Sequence, residues 1–287
     1  MTRWLVTGAG GMLGHDVHTL LADGQVTALD RAALDITDPQ AVRTAVAGHD
    51  VVINCAAWTD VDGAEAAEAA ATAVNGTGVR HLARACRDSA ARLLHVSTDY
   101  VLPGDSTEPY PESAPACPVN AYGRSKLAGE RAVAELLPDT GYIVRTAWLY
   151  GEHGRNFVAT MLGLASHRSS VEVVDDQHGQ PTWTHDLAGL LVMLGRAEQA
   201  PPGVYHATAT GHTTWYGLAR AAYELSGLDP DRVRPTTSAA FPRTARRPAF
   251  SVLGHARWAA AGLPELPGWR ESLAEALHRP SFAALVH

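Results

Sequence analysis

Tyr122-Gly-Arg-Ser-Lys126 sets a phenol and an ammonium four residues apart. On a helix that spacing puts both on one face, the lysine one turn beyond the tyrosine. A cation in that place favours the phenolate and is expected to draw the tyrosine below its ordinary pKa of roughly 10. A phenol so tuned can exchange a proton with an alcohol or ketone oxygen near neutral pH. Any amphipathic helix can carry Tyr-x-x-x-Lys on its wet side, so the pair takes its meaning from two other features. One is the hydroxyl run Ser97-Thr98; the other is the glycine-rich stretch Thr7-Gly8-Ala9-Gly10-Gly11-Met12-Leu13-Gly14.

In that stretch Gly8, Gly11 and Gly14 follow an apolar run and open a helical pattern, one step different from the G-x-G-x-x-G spacing. The first glycine permits a tight turn, the second lets backbone approach a pyrophosphate, and the third lets helix meet strand. Free N–H groups at the helix start, including those of Met12 and Leu13, then face the phosphates. A plain glycine turn is the alternative, and the order strand, turn, helix argues against it. Asp30 closes the second strand about 20 residues on, where a carboxylate bonds the ribose 2′-hydroxyl of NAD. Arg31 beside it would suit a 2′-phosphate, so NADH and NADPH both stay open. Asp35-Ile36 suits the adenine edge, or is an ordinary acidic loop before the Asp38 cap. Ala56 and Ala57 are small enough for backbone to pass close to a dinucleotide.

The elements that must hold these groups alternate through the first half, the pattern of a Rossmann-type doubly wound α/β sheet. Strands are expected at Trp4–Thr7, Gln25–Leu29, Val51–Asn54, Leu93–Ser97 and Tyr142–Thr146. Helices fall at Met12–Leu21, after Asp38-Pro39, and within the alanine-rich stretch Glu65–Ala90, with Asn75-Gly76 as the candidate break. The helix of Tyr122 and Lys126 runs to about Leu137, before Pro138. A proline-rich acidic loop, Pro103 to Pro118, is placed to cover a site. Later helices are expected at Asn156–Ser166, Thr184–Arg196, Thr214–Ser226 and Gly268–Leu277, and strands at Val171–Val174 and Gly203–His206. This divides the chain into a dinucleotide-binding domain, 1–150, to which about 183–212 returns, and a smaller α/β substrate-binding lobe over 151–287.

Composition narrows the classes. The 287 residues are 46% hydrophobic and 18% charged, with no apolar run near the roughly 20 residues of a membrane span. The strand pattern from Trp4 leaves no room for a signal peptide, so a cytoplasmic location is expected. Cys55, Cys86 and Cys117 lack metal-ligand spacing and suit a reducing compartment. A net charge of −7 opposes general nucleic-acid binding. The local cluster Arg243, Arg246, Arg247 suits a substrate phosphate instead. His95 reads as a core residue, and His178, His185, His206 and His212 form no metalloenzyme motif, so no metal is expected.

Together with Tyr122 and Lys126, His95–Tyr100 (HVSTDY) resembles the extended short-chain dehydrogenase/reductase superfamily. Asn54–Asp62 (NCAAWTDVD), Ser97–Gly104 (STDYVLPG), Asn120–Glu130 (NAYGRSKLAGE), Arg145–Gly151 (RTAWLYG), Asn156–Leu162 (NFVATML), Asp175–Thr182 (DDQHGQPT) and Thr213-Thr214-Trp215 resemble, in order, the dTDP-4-dehydrorhamnose reductase family. The resemblance implies NAD(P)H-dependent reduction of the 4-keto group of a dTDP-4-keto-6-deoxyhexose. It makes Tyr122 the proton donor, Lys126 the holder of the nicotinamide ribose, and Thr98 the group that orients the substrate oxygen. Gly8 through Gly14, Asp35, Ile36, Ala56 and Ala57 would meet the dinucleotide. Asp99, Trp148, Asn156 and Arg247 would meet the nucleotide sugar, with Trp148 offering a face to the ring, or serving as a packed aromatic after the fifth strand. Asn75 would match the superfamily's active-site asparagine, or be a helix breaker.

Sugar 4,6-dehydratases carry Thr-Asp-Glu where this chain has Thr98-Asp99-Tyr100, so elimination lacks its glutamate. A nucleotide-sugar epimerase, a reductase of another nucleotide sugar such as a dihydrostreptose-type synthase, and a non-catalytic dinucleotide-binding regulator are the alternatives. Trp58, Leu102 and Val252 depart from the family's usual residues and are expected near the sugar pocket. Some members are associated with Mg2+ at a dimer contact; His15 stands where an acidic ligand would be sought, so the metal is not carried over. A homodimer is compatible with the chain, although no amphipathic stretch announces one.

Overall fold

The structure, a computed structural model, describes residues 1–285. Strands β1 (Arg3–Thr7), β2 (Gln25–Leu29), β3 (Val51–Asn54), β4 (Arg92–Thr98) and β5 (Gly141–Thr146) form a parallel sheet. A further parallel strand at Gly203–His206 completes it; counted in chain order it is β10, and the spatial order is β10-β5-β4-β3-β1-β2. The order reverses between β1 and β3, the place where open parallel sheets leave a ligand crevice beyond their carboxyl ends.

Alternation along each strand explains why both faces are covered. Trp4, Val6, Val51, Ile53, Leu94, Tyr142 and Val144 point one way, into a core closed by helix α1 (Met12–Leu21) and by residues Leu187 to Leu194. Leu5, Val52, Leu93 and Ile143 point the other way. There they meet α2 (Pro39–Val46), whose Asp38 caps Gln40 N and Ala41 N, and the helices that follow it.

The alanine-rich stretch is not one helix. It divides into α3 (Val61–Ala66), α4 (Glu68–Thr72), a π-helical turn (Ala73–Gly78) and α5 (Val79–Asp88). The helical path continues through Asn75-Gly76 with one wide turn, the form that often marks functional sites. Helix α6 (Ala121–Leu136) begins where Asn120 Oδ1 accepts the Gly123 N–H at 2.8 Å.

Beyond β5 come β6 (Leu149–Tyr150), α7 (Phe157–Ala165), β7 (Val171–Val174), β8 (His178–Gly179), β9 (Thr182–Trp183) and α8 (Thr184–Arg196). After β10 follow β11 (Thr213–Thr214), α9 (Trp215–Leu225), β12 (Val233–Thr236), α10 (Ala256–Ala260), α11 (Trp269–Leu277) and α12 (Pro280–Ala283). α8 packs on α1, and β10 pairs with β5. The remaining short strands pair as β6–β9, β7–β12 and β8–β11. They frame a separate core of Tyr150, Leu162, Trp183, Leu218, Leu273 and Phe282. Among the described residues no helix is long and apolar enough to cross a membrane.

A buried ion pair fixes α6 to the sheet. Arg145 on β5 donates from Nη2 to Glu130 Oε2 at 2.7 Å and from Nε to Oε1 at 2.9 Å. Ser97 Oγ on β4 donates to the same Oε1 at 2.6 Å. Removing one member leaves the other charge uncompensated, which costs about 3–5 kcal/mol. Glu130→Ala is therefore expected to lower the free energy of unfolding by about that amount in urea titrations; a variant as stable as the parent would show that the pair contributes nothing.

Candidate active site

The glycine turn fits a phosphate cradle. Gly8 has φ 71°, and a Cβ there would stand 2.5 Å from Ala56 N. A Cβ on Gly14 would stand 2.2 Å from Gly8 O, so neither position admits a side chain. The cap at Gly11 has no side-chain partner for the first N–H groups of α1, Met12 and Leu13 among them, which leaves them free for an anion. Asp30 lies beside the turn, its Cβ 3.3 Å from where a Gly10 Cβ would be. Its Oδ1 accepts Ala32 N and Ala33 N, both at 2.9 Å, and Arg31 is exposed beside it. Ala56 and Ala57 continue from β3 along the same crevice, Ala56 N bonded to Asn54 Oδ1 at 3.1 Å.

Two residues expected at the adenine have other employment. The Ile36 side chain is 3% exposed and packs in the core. Asp35 Oδ1 accepts the Thr37 N–H and hydroxyl at 2.9 and 2.7 Å, and these bonds hold its pKa below the usual range. Ile36 therefore offers only its backbone to a ligand, whereas exposed Asp35 keeps its second carboxylate oxygen.

At the carboxyl end of β4, Thr98 pairs in register with Thr146 of β5. Tyr122, in the first turn of α6, stands close enough to Thr98 for that hydroxyl to favour its ionised form. Thr98 Oγ1 donates onward to Asp99 Oδ1 at 2.9 Å and accepts the Tyr100 N–H at 3.1 Å. Lys126, one turn further, is 2% exposed and donates from Nζ to Val96 O at 2.7 Å. Sequence spacing therefore brings together the three groups it singles out.

The electrostatics correct the expectation of a lowered phenol. Burial raises the Tyr122 pKa, and the Asp99 charge adds to the rise, while the nearby Thr98 hydroxyl opposes it. Burial likewise brings Lys126 down to about 8, against the pull of Glu130. Desolvation outweighs the neighbouring cation because Lys126 turns its charge to the β4 backbone. Asp99, 3% exposed, is pushed up to about 6 by burial, against the bond its Oδ1 accepts from Thr98.

Around this centre the other predicted residues fall differently. Arg247 is drawn in, its Nη2 bonded to Asp62 Oδ2 at 2.8 Å and its guanidinium 6.0 Å from the Tyr100 ring centroid. The Tyr100 ring meets that of Tyr122 edge-on at 5.8 Å. Asn156 is a correction: its Oδ1 caps α7 at Ala159 N and its Nδ2 bonds Gly151 O, which leaves little of it for a sugar. Trp148 has one face taken, since its indole stacks at 3.6 Å on Trp215. Asn75 clamps the Trp58 backbone and bonds Ser125 Oγ at 3.0 Å, so it acts here as a brace for α6. Of the three departures from the family pattern, Trp58 packs beside Tyr122, whereas Leu102 and Val252 are core residues.

Sequence reasoning missed the Glu130 ion pair and the Trp215 stack. Only Glu130 left a signal, four residues beyond Lys126 on the same helix face. It also missed a trio far apart in sequence, His15, Asp16 and His153, whose ligand-type atoms lie within 4.8 Å of one another.

The sheet, the glycine cradle and the Thr98–Tyr122–Lys126 cluster define an extended short-chain dehydrogenase/reductase. The chain belongs to the RmlD substrate binding domain family, whose pattern matches residues 2–281. It is 59% identical to a dTDP-4-dehydrorhamnose reductase of Streptomyces griseus, over 99% of this chain and 94% of that one. A dTDP-4-keto-6-deoxy-D-glucose reductase of Streptomyces niveus is 53% identical, with 96% of each chain covered. The solved structure of dTDP-4-dehydrorhamnose reductase from Bacillus anthracis in complex with NADP superposes with a TM-score of 0.91 at 35% identity, covering 96% of this chain and 99% of that one.

A carboxyl whose pKa is higher folded than unfolded adds stability below its unfolded value, lost as pH rises through the folded one. For Asp99 that window runs from the ordinary carboxylate range to about 6. Across it the parent is expected to lose on the order of 3 kcal/mol relative to Asp99→Asn. Urea unfolding of both proteins at a series of pH values measures this; parallel curves would remove Asp99 as the cause.

Proposed function

We propose that the protein is an NADPH- or NADH-dependent reductase of the 4-keto group of a dTDP-4-keto-6-deoxyhexose. The observation that carries this reading is the Tyr122 phenol set on α6 close enough to Thr98, at the carboxyl end of β4, for that hydroxyl to act on its pKa, in the sheet whose strand order reverses beside the glycine cradle. The reductase names of the relatives at 59% and 53% identity support it.

The cradle fits a dinucleotide, since its glycines admit backbone contact and its first N–H groups are free. Gly8, Gly11, Met12, Leu13 and Gly14 would hold the pyrophosphate, Asp30 and Arg31 the adenosine ribose, and Ala56 and Ala57 the flank. When bound, the nicotinamide supplies hydride for the sugar carbonyl. Thr98 orients the carbonyl oxygen, Tyr122 gives it a proton, and Lys126 binds the nicotinamide ribose. Catalysis comes mainly from holding donor and carbonyl in contact. Asp99 and Trp148 border the sugar, and Arg247, balanced by Asp62, stands ready for the diphosphate. The reading assigns 1–150 with about 183–212 to the dinucleotide and the remainder to the sugar. It also includes a cytoplasmic location and leaves room for a homodimer.

Supplying dTDP-4-keto-6-deoxyhexoses with NADPH or NADH should consume cofactor in proportion to sugar; an epimerase or a regulator would show no net consumption. Tyr122→Phe is expected to lower kcat by about 10²–10⁴-fold while cofactor affinity stays unchanged. Turnover by that variant at the parent rate would sink the assignment of proton donor.

A further inference from the structure

Trp148 leaves the sheet two residues beyond Thr146, the partner of Thr98 across β4 and β5. Its φ is 49°, a left-handed backbone that bulky residues keep only when their surroundings hold them there. Both faces of the indole are held. On one, Trp215 stacks with centroids 3.6 Å apart and planes 8° from parallel. Gly179 approaches so closely that a Cβ would stand 2.4 Å from Trp148 Cε2. A Cβ that near could not share a face with Trp215, so Gly179 covers the opposite one. The β8–β11 pair sets both contacts, because Gly179 lies opposite Thr213 and Trp215 follows Thr214. Trp215 is fixed in turn by Nε1 donating to Gln177 Oε1 at 3.2 Å and by the Phe157 ring 4.7 Å away.

A sugar that packs on an aromatic face needs that face open, and Trp148 has neither open. Half-buried, it keeps only part of its rim open, since Gly179 also crowds the edge that carries the indole nitrogen. We propose that Trp215 is a positioning residue for sugar recognition: stacked on Trp148, it holds that indole edge-on to the hexose, so the pocket reads ring substituents and not the flat face. This rests on the nucleotide-sugar reading above.

Trp215→Ala should raise the KM for dTDP-4-keto-6-deoxy-D-glucose by about tenfold, the order of one lost aromatic stack, with the KM for NADPH unchanged. Trp215→Phe, which keeps a ring on Trp148, should restore most of the sugar affinity. In a Trp148→Ala background, Trp215→Ala should add nothing, since it acts through Trp148. A purely structural role would instead lower the melting temperature and leave the sugar KM alone, and additive effects in the double variant would equally overturn the proposal. The stack itself is read by the exciton couplet of paired indoles in far-ultraviolet circular dichroism, which Trp148→Phe and Trp215→Phe must each abolish. If the parent consumes no NADPH with that sugar, the reading of function falls. The indole proposal is then decided by calorimetric affinity for the same nucleotide sugar, which Trp215→Ala must weaken.

Discussion

The seating of α6 on the parallel sheet is the constraint from which the rest of the site follows. Tyr122, Lys126 and Glu130 repeat every four residues, so they form one line down the face of α6 that meets β4. Each finds a fixed partner there: Tyr122 at Thr98, Lys126 at the Val96 carbonyl, Glu130 at Ser97 and Arg145. The helix can neither slide nor rotate without breaking buried charged bonds. Close approach at its start is permitted by Gly123, where a Cβ would stand 2.1 Å from Tyr100 O.

Burial sets the charge behaviour of that line. With little water nearby, desolvation dominates each group: the phenol rises, the ammonium comes down to about 8, and the Asp99 carboxyl goes up to about 6. A dry cleft of this kind strengthens every hydrogen bond aimed at a developing charge. The same dryness requires the polar groups to be held by one another. Asp62 balances Arg247 and accepts the Ala245 N–H, and residues 245–247 thereby tie the later part of the chain to α3.

How much of this was legible depends on whether a contact is local. The strand and helix pattern, the tight glycine turn and the shared face of Tyr122 and Lys126 are set by neighbours within one turn or one strand, and those elements match the structure closely. The alanine-rich stretch misled because alanine carries no periodic signal; the π-helical turn at Asn75 exists because its amide bonds Trp58 and Ser125, which are distant in sequence. Ile36 looked like a ligand contact and is core, since a single apolar residue after a strand gives no sign of which way it faces.

The sequence by itself determined the chemistry available: a glycine turn opening a helix, a phenol and an amine on one helix face, and hydroxyls at a strand end. Those are matters of residue type and short-range spacing, which backbone geometry converts directly into position. Only the tertiary structure decided the state of those groups. Whether Tyr122 is lowered or raised depends on how much water surrounds it, whether Arg247 is free depends on Asp62, and which part of Trp148 is open depends on Trp215 and Gly179. Such contacts join residues far apart in the chain, and burial is a property of the packed whole.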